Sequence, residues 1–324
     1  MKAIVIHEDG GPEVLSYEDV PDPEPAAGEV LVRMRFASLN HLDVWTRKGM
    51  PSVPKPRILG ADGSGVVESV GDGVDRFEPG QPVVINPGLE HGETIQVIGE
   101  HTQGVHAELA AIPAENVYPL SEGVSFEDAA AFPLVYETAY RMLVTKARLQ
   151  AGERVLIWGI GGGVATAALR IAQALGAQTI VTSSSDEKLA KAAALGADVT
   201  VNHDSGDVVS AVKEAGGAHV VVETVGEATW KRSLDAVRPG GRVTVCGSTS
   251  GPNPPAALHR LWWKQLTIFG STMGTHADFE GAYELVAAGA TPVIDSVFPL
   301  ADARAAHERM EARKQFGKIL FEIA

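Results

Sequence analysis

Residues 155–170 read VLIWGIGGGVATAALR: an apolar run, then Gly159, Gly161, Gly162 and Gly163, then a helical pattern with no break. The run Val155 to Trp158 reads as a buried strand, and ATAALRIAQALG as a helix beginning at about Gly163. Glycines between a strand and a helix permit a tight turn and let the backbone approach a ligand, which then meets the positive helix N-terminus. The four glycines and Val164 are therefore expected to cradle a pyrophosphate. The third glycine of G-x-G-x-x-G, counted from Gly159 or Gly161, does not arrive cleanly; Ala165 is read as taking the place where helix and strand pack closely, and is small enough for it.

The same texture continues outward. The runs RVLIWG, QTIVTSS, DVTVN, HVVVETVG, RVTVCGS and LTIFGS alternate with helical segments such as KLAKAAALGA and WKRSLDAVRPGG. This predicts an α/β unit over 125–268, a doubly wound parallel sheet of Rossmann type with helices on both faces. Upstream, AIVI, EVLVRMRFASL, SGVVESV, QPVVIN and HAELAAI are short strand-like runs broken by Gly and Pro, predicting a mainly antiparallel β domain over 1–124. The tail 269–324 alternates helix and strand and is expected to rejoin that first domain, so that the Rossmann unit is an insertion.

The chain has 324 residues, enough for two domains, with 45% hydrophobic and 21% charged residues and no apolar run of membrane-spanning length. The start MKAIVIHEDGG meets charge instead of a cleavage site, so a cytoplasmic location is expected. A formal net charge of −14 argues against a nucleic-acid partner, and no membrane partner is expected. The lone Cys246 excludes an intrachain disulfide and any multi-thiolate metal site.

Cofactor choice is read at the tip of the second Rossmann strand, TIVTSSSDEKL. An Asp or Glu there selects NAD by binding the ribose hydroxyls, whereas hydroxyls and a cation suit a 2′-phosphate. Ser183, Ser184 and Lys188 favour NADPH; Asp186 argues the other way, so NADH stays open. Ser185 or Asp186 also reads as a helix N-cap, with Lys188 merely solvated. Further along, Val225, Cys246, Gly247, Ser271 and Met273 stand at strand ends, where such folds bind dinucleotide. A cysteine at a strand end also reads as a small apolar filler.

Three separated stretches, GGPEVLSYEDVPDPEPAAGEVLVRMRFASLNHLDVWTRKG, ILGADGSGVVESVGDGVDRFEPGQPVV and FPLVYETAYRML, together with QFGKILFEI, resemble the medium-chain dehydrogenase/reductase superfamily. The likeness is to its quinone oxidoreductase-like and zinc-free alcohol dehydrogenase-like members and covers essentially the whole chain. It implies a GroES-like catalytic domain interrupted by a Rossmann domain, with the active site in the cleft between them. It also implies that Asn40, Ala61 and Leu134 take the places of the zinc ligands found in zinc-dependent relatives. Alanine and leucine cannot ligate a metal, so no zinc is expected. The cysteine lobe that holds a second zinc in some relatives looks deleted, leaving His91, Glu93, Glu100 and His101 as polar residues of a shortened loop.

By the same resemblance Asn40 and His41 are the catalytic candidates. Asn40 would orient the carbonyl or the nicotinamide, and His41 would relay a proton, unless it is a buried imidazole satisfied by backbone. Asp43 is expected to fix the loop. Thr138 and Lys318 match residues that contact the cofactor, and His203 stands beside the adenosine ribose. The implied activity is zinc-independent, NADPH-dependent hydride transfer to a quinone or α,β-unsaturated carbonyl. The alternatives are an alcohol or aldehyde dehydrogenase of the same superfamily and a non-catalytic dinucleotide-binding redox sensor. The apolar strand LTIFGST, at the far edge of the Rossmann sheet, suggests a homodimer.

Overall fold

The valine- and isoleucine-rich runs form a six-stranded parallel sheet in the order Val199–Asn202, Gln178–Ser183, Arg154–Ile157, Ala218–Glu223, Val237–Val245, Thr267–Gly270. Continuous apolar runs suit strands covered on both faces. Leu156, Val221 and Val243 are fully buried and share one core cluster with Trp158, Ile180 and Leu234. Arg154–Ile157 lies between Gln178–Ser183 and Ala218–Glu223, so the strand order reverses beside it. Ligands bind at the carboxyl ends of strands at such a reversal. The helices between are started by side chains. Ser185 accepts from the Lys188 N–H at 3.3 Å, and Asp207 accepts from Val209 and Ser210 at 3.0 and 3.2 Å.

The computed structural model describes residues 1–323, and their contacts divide the chain into two units. The first comprises Met1–Leu134 and the chain from Thr275 onward; the second is Val135–Gly274. The first unit is built on a seven-stranded sheet in which Val117–Pro119, Pro82–Ile85, Asp62–Val70, Glu29–Leu39, Lys318–Glu322 and Ile294–Pro299 follow one another. The seventh strand, Leu109–Pro113, also pairs with Glu29–Leu39. Its core includes Val32, Met34, Leu39, Ile85, Ile319 and Phe321, all essentially fully buried.

Two registers in this sheet matter for function. Ser38 pairs with Asp62 across one antiparallel ladder, and Ile319 pairs with Leu39 across the other. Side chains alternate along a strand, so Ser38 and Asn40 share a face, and the second register brings Lys318 alongside them.

The breaks between units fall at 134/135 and 274/275, later than the expected 124/125 and 268/269. The helix Phe126–Ala131 buries Ala130 and Ala131 against Leu320, Phe36 and Ile294 of the first unit, which carries the boundary past it. At the other end the strand Thr267–Gly270 is hydrogen-bonded wholly within the parallel sheet. The segment expected as a shortened loop contains a hairpin, Gly88–His91 with Thr94–Val97, closed where His101 Nδ1 accepts from the Val97 N–H at 3.0 Å. Among the described residues no helix is long and apolar enough to cross a membrane.

Candidate active site

In the second unit the strand Arg154–Ile157 enters a turn that opens the helix Gly163–Ala174. Gly159 and Gly161 have φ of +67° and +121°, a region that L side chains rarely adopt. Gly162 differs: its φ of −77° and ψ of 154° suit any residue, and a Cβ there would find only Gly159 O, at 3.9 Å. Nothing in this chain requires a glycine at 162. The space beside it is open, and the helix it precedes has no side-chain cap and no acidic residue in its first turn. The N–H groups of Gly163 and Val164 thus begin the helix without a competing anion. Ile160 N–H to Thr182 O, at 2.7 Å, pins the turn to the neighbouring strand. These features fit the pyrophosphate of a nicotinamide dinucleotide.

At the tip of Gln178–Ser183, Ser183 is buried and its Oγ accepts from the Ser185 N–H at 3.1 Å, while Ser184 is exposed. Ser185 is the N-cap; Lys188 lies one turn into the helix, half-buried. Asp186 is engaged by Asn202, whose Nδ2 donates to Oδ1 at 2.6 Å. His203 donates its backbone N–H to Ser183 O at 3.0 Å, so it does stand at this tip. Desolvation lowers its pKa, which leaves a neutral imidazole and no charge to offer a phosphate. Arg232, which the sequence reading did not single out, also reaches this tip. Its guanidinium lies 4.9 Å from the Trp158 ring centroid and donates to His203 O at 3.4 Å. Trp158 follows the first strand directly, but no local signal ties it to an arginine in a helix far along the chain.

Past the strand Ala218–Glu223, the loop holding Val225 is fixed by Glu223. Glu223 Oε1 accepts from Val225 N–H, Gly226 N–H and Thr229 Oγ1 at 2.9, 3.0 and 2.7 Å, and Oε2 accepts from Ser233 Oγ at 2.6 Å. A cavity of about 590 Å³ opens beside it, with Cys246, Gly247 and Ser271 in its lining. Ser271 Oγ is buried there with no hydrogen-bond partner, a group for a ligand to satisfy. Burial pushes the Cys246 thiol up to about 12, so it is no nucleophile at neutral pH. Met273 is buried with φ +47°, and Thr138 is buried in the helix Pro133–Tyr140.

In the first unit Asn40, Asp62 and Lys318 converge. Asn40 precedes the helix His41–Arg47, and Asp43 holds that junction by accepting from the Asn40 N–H at 2.7 Å and the Gly60 N–H at 3.0 Å. Asp43 thus fixes the loop, and burial raises its pKa. Lys318 Nζ donates to Asn40 Oδ1 at 2.5 Å and to Asp62 Oδ2 at 3.0 Å. Asp62 Oδ2 also accepts from Ser38 Oγ at 3.0 Å and Asn40 Nδ2 at 2.8 Å, and Oδ1 accepts from the Leu134 N–H at 2.8 Å. Lys318 is 3% exposed and Asp62 0%. Lys318 thus directs its ammonium to Asn40 and Asp62, and Asn40 commits its oxygen and one N–H to these two partners.

His41 is exposed, not a buried imidazole satisfied by backbone. Desolvation by the surrounding protein, then the Lys318 and Arg313 charges, lower its pKa and keep it neutral at pH 7. Beneath the cluster, the buried His106 donates from Nε2 to Ser38 O at 3.2 Å, and desolvation lowers its pKa. A Cβ on Gly60 would lie 2.3 Å from that ring, so only glycine fits there.

These residues do not fit a zinc ion. Ala61 and Leu134 offer no side-chain donor, and the space beside Asn40 and Asp62 holds an ammonium. Among the described residues no three or more His, Cys, Asp or Glu side chains gather as a metal site.

A dinucleotide cradle on a doubly wound sheet, joined to a mainly antiparallel unit with a buried polar cluster, defines a dehydrogenase/reductase. Residues 26–122 match the alcohol dehydrogenase GroES-like domain family and 163–288 the zinc-binding dehydrogenase family. The chain is 35% identical to a quinone oxidoreductase of Pseudomonas aeruginosa over 95% of each protein. A crystal structure of an NAD-dependent alcohol dehydrogenase superposes with a TM-score of 0.95 at 41% identity, covering 100% of both chains. A 2-octenoyl-CoA carboxylase reductase in complex with NADP and 2-octenoyl-CoA superposes with a TM-score of 0.89 at 30% identity, covering 96% of this chain and 82% of that one. The chain belongs to the medium-chain dehydrogenase/reductase superfamily, as a quinone oxidoreductase-like member, and is an NAD(P)H-dependent oxidoreductase.

Proposed function

We propose that this oxidoreductase works without zinc, prefers NADPH, and reduces quinones or α,β-unsaturated carbonyls. The observation that supports the reading is the donor set at the positions where the resemblance would place zinc ligands: Ala61 and Leu134 carry no side-chain donor, and the Asn40 oxygen is already bound to the Lys318 ammonium. NADPH, when bound, supplies a hydride with its electron pair. The acceptor oxygen then becomes negative, and this chain meets that charge with N–H donors instead of a divalent ion. Donors suffice where the charge is already spread, as in a hydroquinone anion or an enolate. His41, exposed and neutral, gives one such donor and passes the proton that completes the reduction. The names of two relatives, a quinone oxidoreductase and an NADP-bound reductase of an unsaturated thioester, support this substrate class.

The test is NADPH consumption by protein of measured metal content, with 1,4-benzoquinone, methyl vinyl ketone and a saturated ketone as acceptors. Fast turnover of the first two by metal-free protein is expected; turnover that depends on stoichiometric zinc and is lost to a chelator overturns the reading. A second reading, an NAD-dependent alcohol dehydrogenase, draws on Asp186 and on the solved relative at 41% identity. It requires alcohol oxidation with NAD to exceed quinone reduction.

Cofactor preference rests on Arg232 with Ser183, Ser184 and Lys188. Losing one charge-assisted hydrogen bond to a phosphate costs roughly 1.5–3 kcal/mol. Arg232→Ala is therefore expected to raise the KM for NADPH about tenfold or more. The KM for NADH should stay the same; an equal rise for both assigns Arg232 to packing on Trp158.

The chain pairs with a second copy through the edge strand Thr267–Gly270. That edge is open, and Leu258, Trp262, Trp263 and Ile268 near it are 67%, 65%, 76% and 37% exposed. Sedimentation at micromolar concentration is expected to give a dimer, and Trp262→Glu with Trp263→Glu a monomer. A monomeric parent protein rejects this pairing.

A further inference from the structure

The side-chain amide of Asn40 is oriented without ambiguity. Lysine only donates and a carboxylate only accepts, so Oδ1 faces Lys318 and Nδ2 faces Asp62. The amide is thus held between a cation on its oxygen and an anion on its nitrogen, all three groups being buried. A cation on an amide oxygen draws electron density from the nitrogen and strengthens the remaining N–H as a donor. That second Nδ2 proton has no hydrogen bond among the described residues. Asp62, by contrast, already accepts from Ser38, Asn40 and Lys318 at Oδ2 and from the Leu134 N–H at Oδ1. Among the described residues, the donor capacity left on the amide and the ammonium is the second Nδ2 proton of Asn40 and the third proton of Lys318.

We infer that Lys318 is a positioning residue whose buried ammonium serves as the built-in cation of the site. It fixes and polarises the Asn40 amide so that its second N–H receives the oxyanion formed on the acceptor. Asp62 sets the geometry by holding both partners, and Ser38 and the Leu134 N–H hold Asp62. The inference rests on the zinc-independent reading and deepens it, because it names what performs the electrostatic task. It also predicts which substrates suffer when that charge is removed: those whose reduced oxygen is more basic depend more on the donor.

The experiment uses the full chain with NADPH and compares Lys318→Met, the pair Lys318→Met with Asp62→Asn, and Lys318→Arg. The double change replaces the ion pair by neutral groups, and so preserves folding where the single change leaves a carboxylate unpaired. Expected for the double variant is a fall in kcat of about a hundredfold, typical of a lost oxyanion donor. The KM for acceptor and the binding of NADPH should stay nearly unchanged, and the loss should be larger with methyl vinyl ketone than with 1,4-benzoquinone. Lys318→Arg, which keeps the charge, should retain more activity than Lys318→Met. A loss confined to NADPH binding, an equal loss with both acceptors, or no loss overturns the inference while metal-free turnover by the parent protein still upholds the proposed function. Chelator-sensitive zinc in the parent protein overturns both.

Discussion

Gly162→Val is expected to weaken NAD(P)H binding by at least about a hundredfold, close to 2.7 kcal/mol, while leaving the fold intact. The prediction separates what the ligand needs from what the chain needs. At Gly159 and Gly161 positive φ alone disfavours a side chain, so substitution there would strain the turn and confuse the two effects. Gly162 has an ordinary backbone conformation and open space where its Cβ would go. Valine at this N-cap position costs about 1 kcal/mol at most, because glycine contributes no side-chain cap to lose. Its methyl groups would occupy the space through which a pyrophosphate reaches the first N–H groups of the helix. Fluorescence titration with NADPH and thermal unfolding, run on the same preparation, check both halves. Unchanged affinity would remove the cradle from the cofactor site.

The second large effect concerns stability. Asp62→Ala deletes the acceptor shared by Ser38, Asn40, Lys318 and the Leu134 N–H, and leaves the Lys318 ammonium buried without its counter-ion. Breaking a buried pair from one side costs about 3–5 kcal/mol, far more than the pair itself contributes. The loss should appear in denaturant unfolding of the first unit, with the parallel-sheet unit unfolding as before if the two transitions separate. Adding Lys318→Met to Asp62→Ala should recover much of the loss, since no uncompensated charge remains. Failure of the second change to recover stability would mean that the cost lies in the hydrogen bonds to Ser38 and Leu134.

The second unit was legible because its information is local. Strand, glycine turn and helix follow one another within residues 154–174, and the strand runs repeat at regular intervals along the chain. The first unit was legible as a texture but not as a site. Nothing near Asn40 in sequence announces that its amide oxygen is bound by a lysine 278 positions away, because that contact is set by the Ile319–Leu39 register. Asp62 was not singled out for the same reason: its partners Ser38, Asn40, Lys318 and Leu134 are all distant from it in sequence. Arg232 escaped because a side chain's partner across a parallel sheet depends on strand order, which alternating apolar runs do not specify. The breaks between units shifted because Phe126–Ala131 is helical in pattern yet packs on the β sheet, a choice made by the alanines it buries.

The strand Lys318–Glu322 gives the molecule a temporal order as well as a geometry. A chain emerging from the ribosome completes the parallel sheet when Gly270 is out, but the antiparallel sheet waits for its last strand. Until then Asp62 has no cation and Asn40 no fixed amide. Nascent chains stalled before Lys318 would own a finished parallel sheet and an unfinished polar cluster; under the proposed function, competence to bind a cofactor would then precede competence to use it.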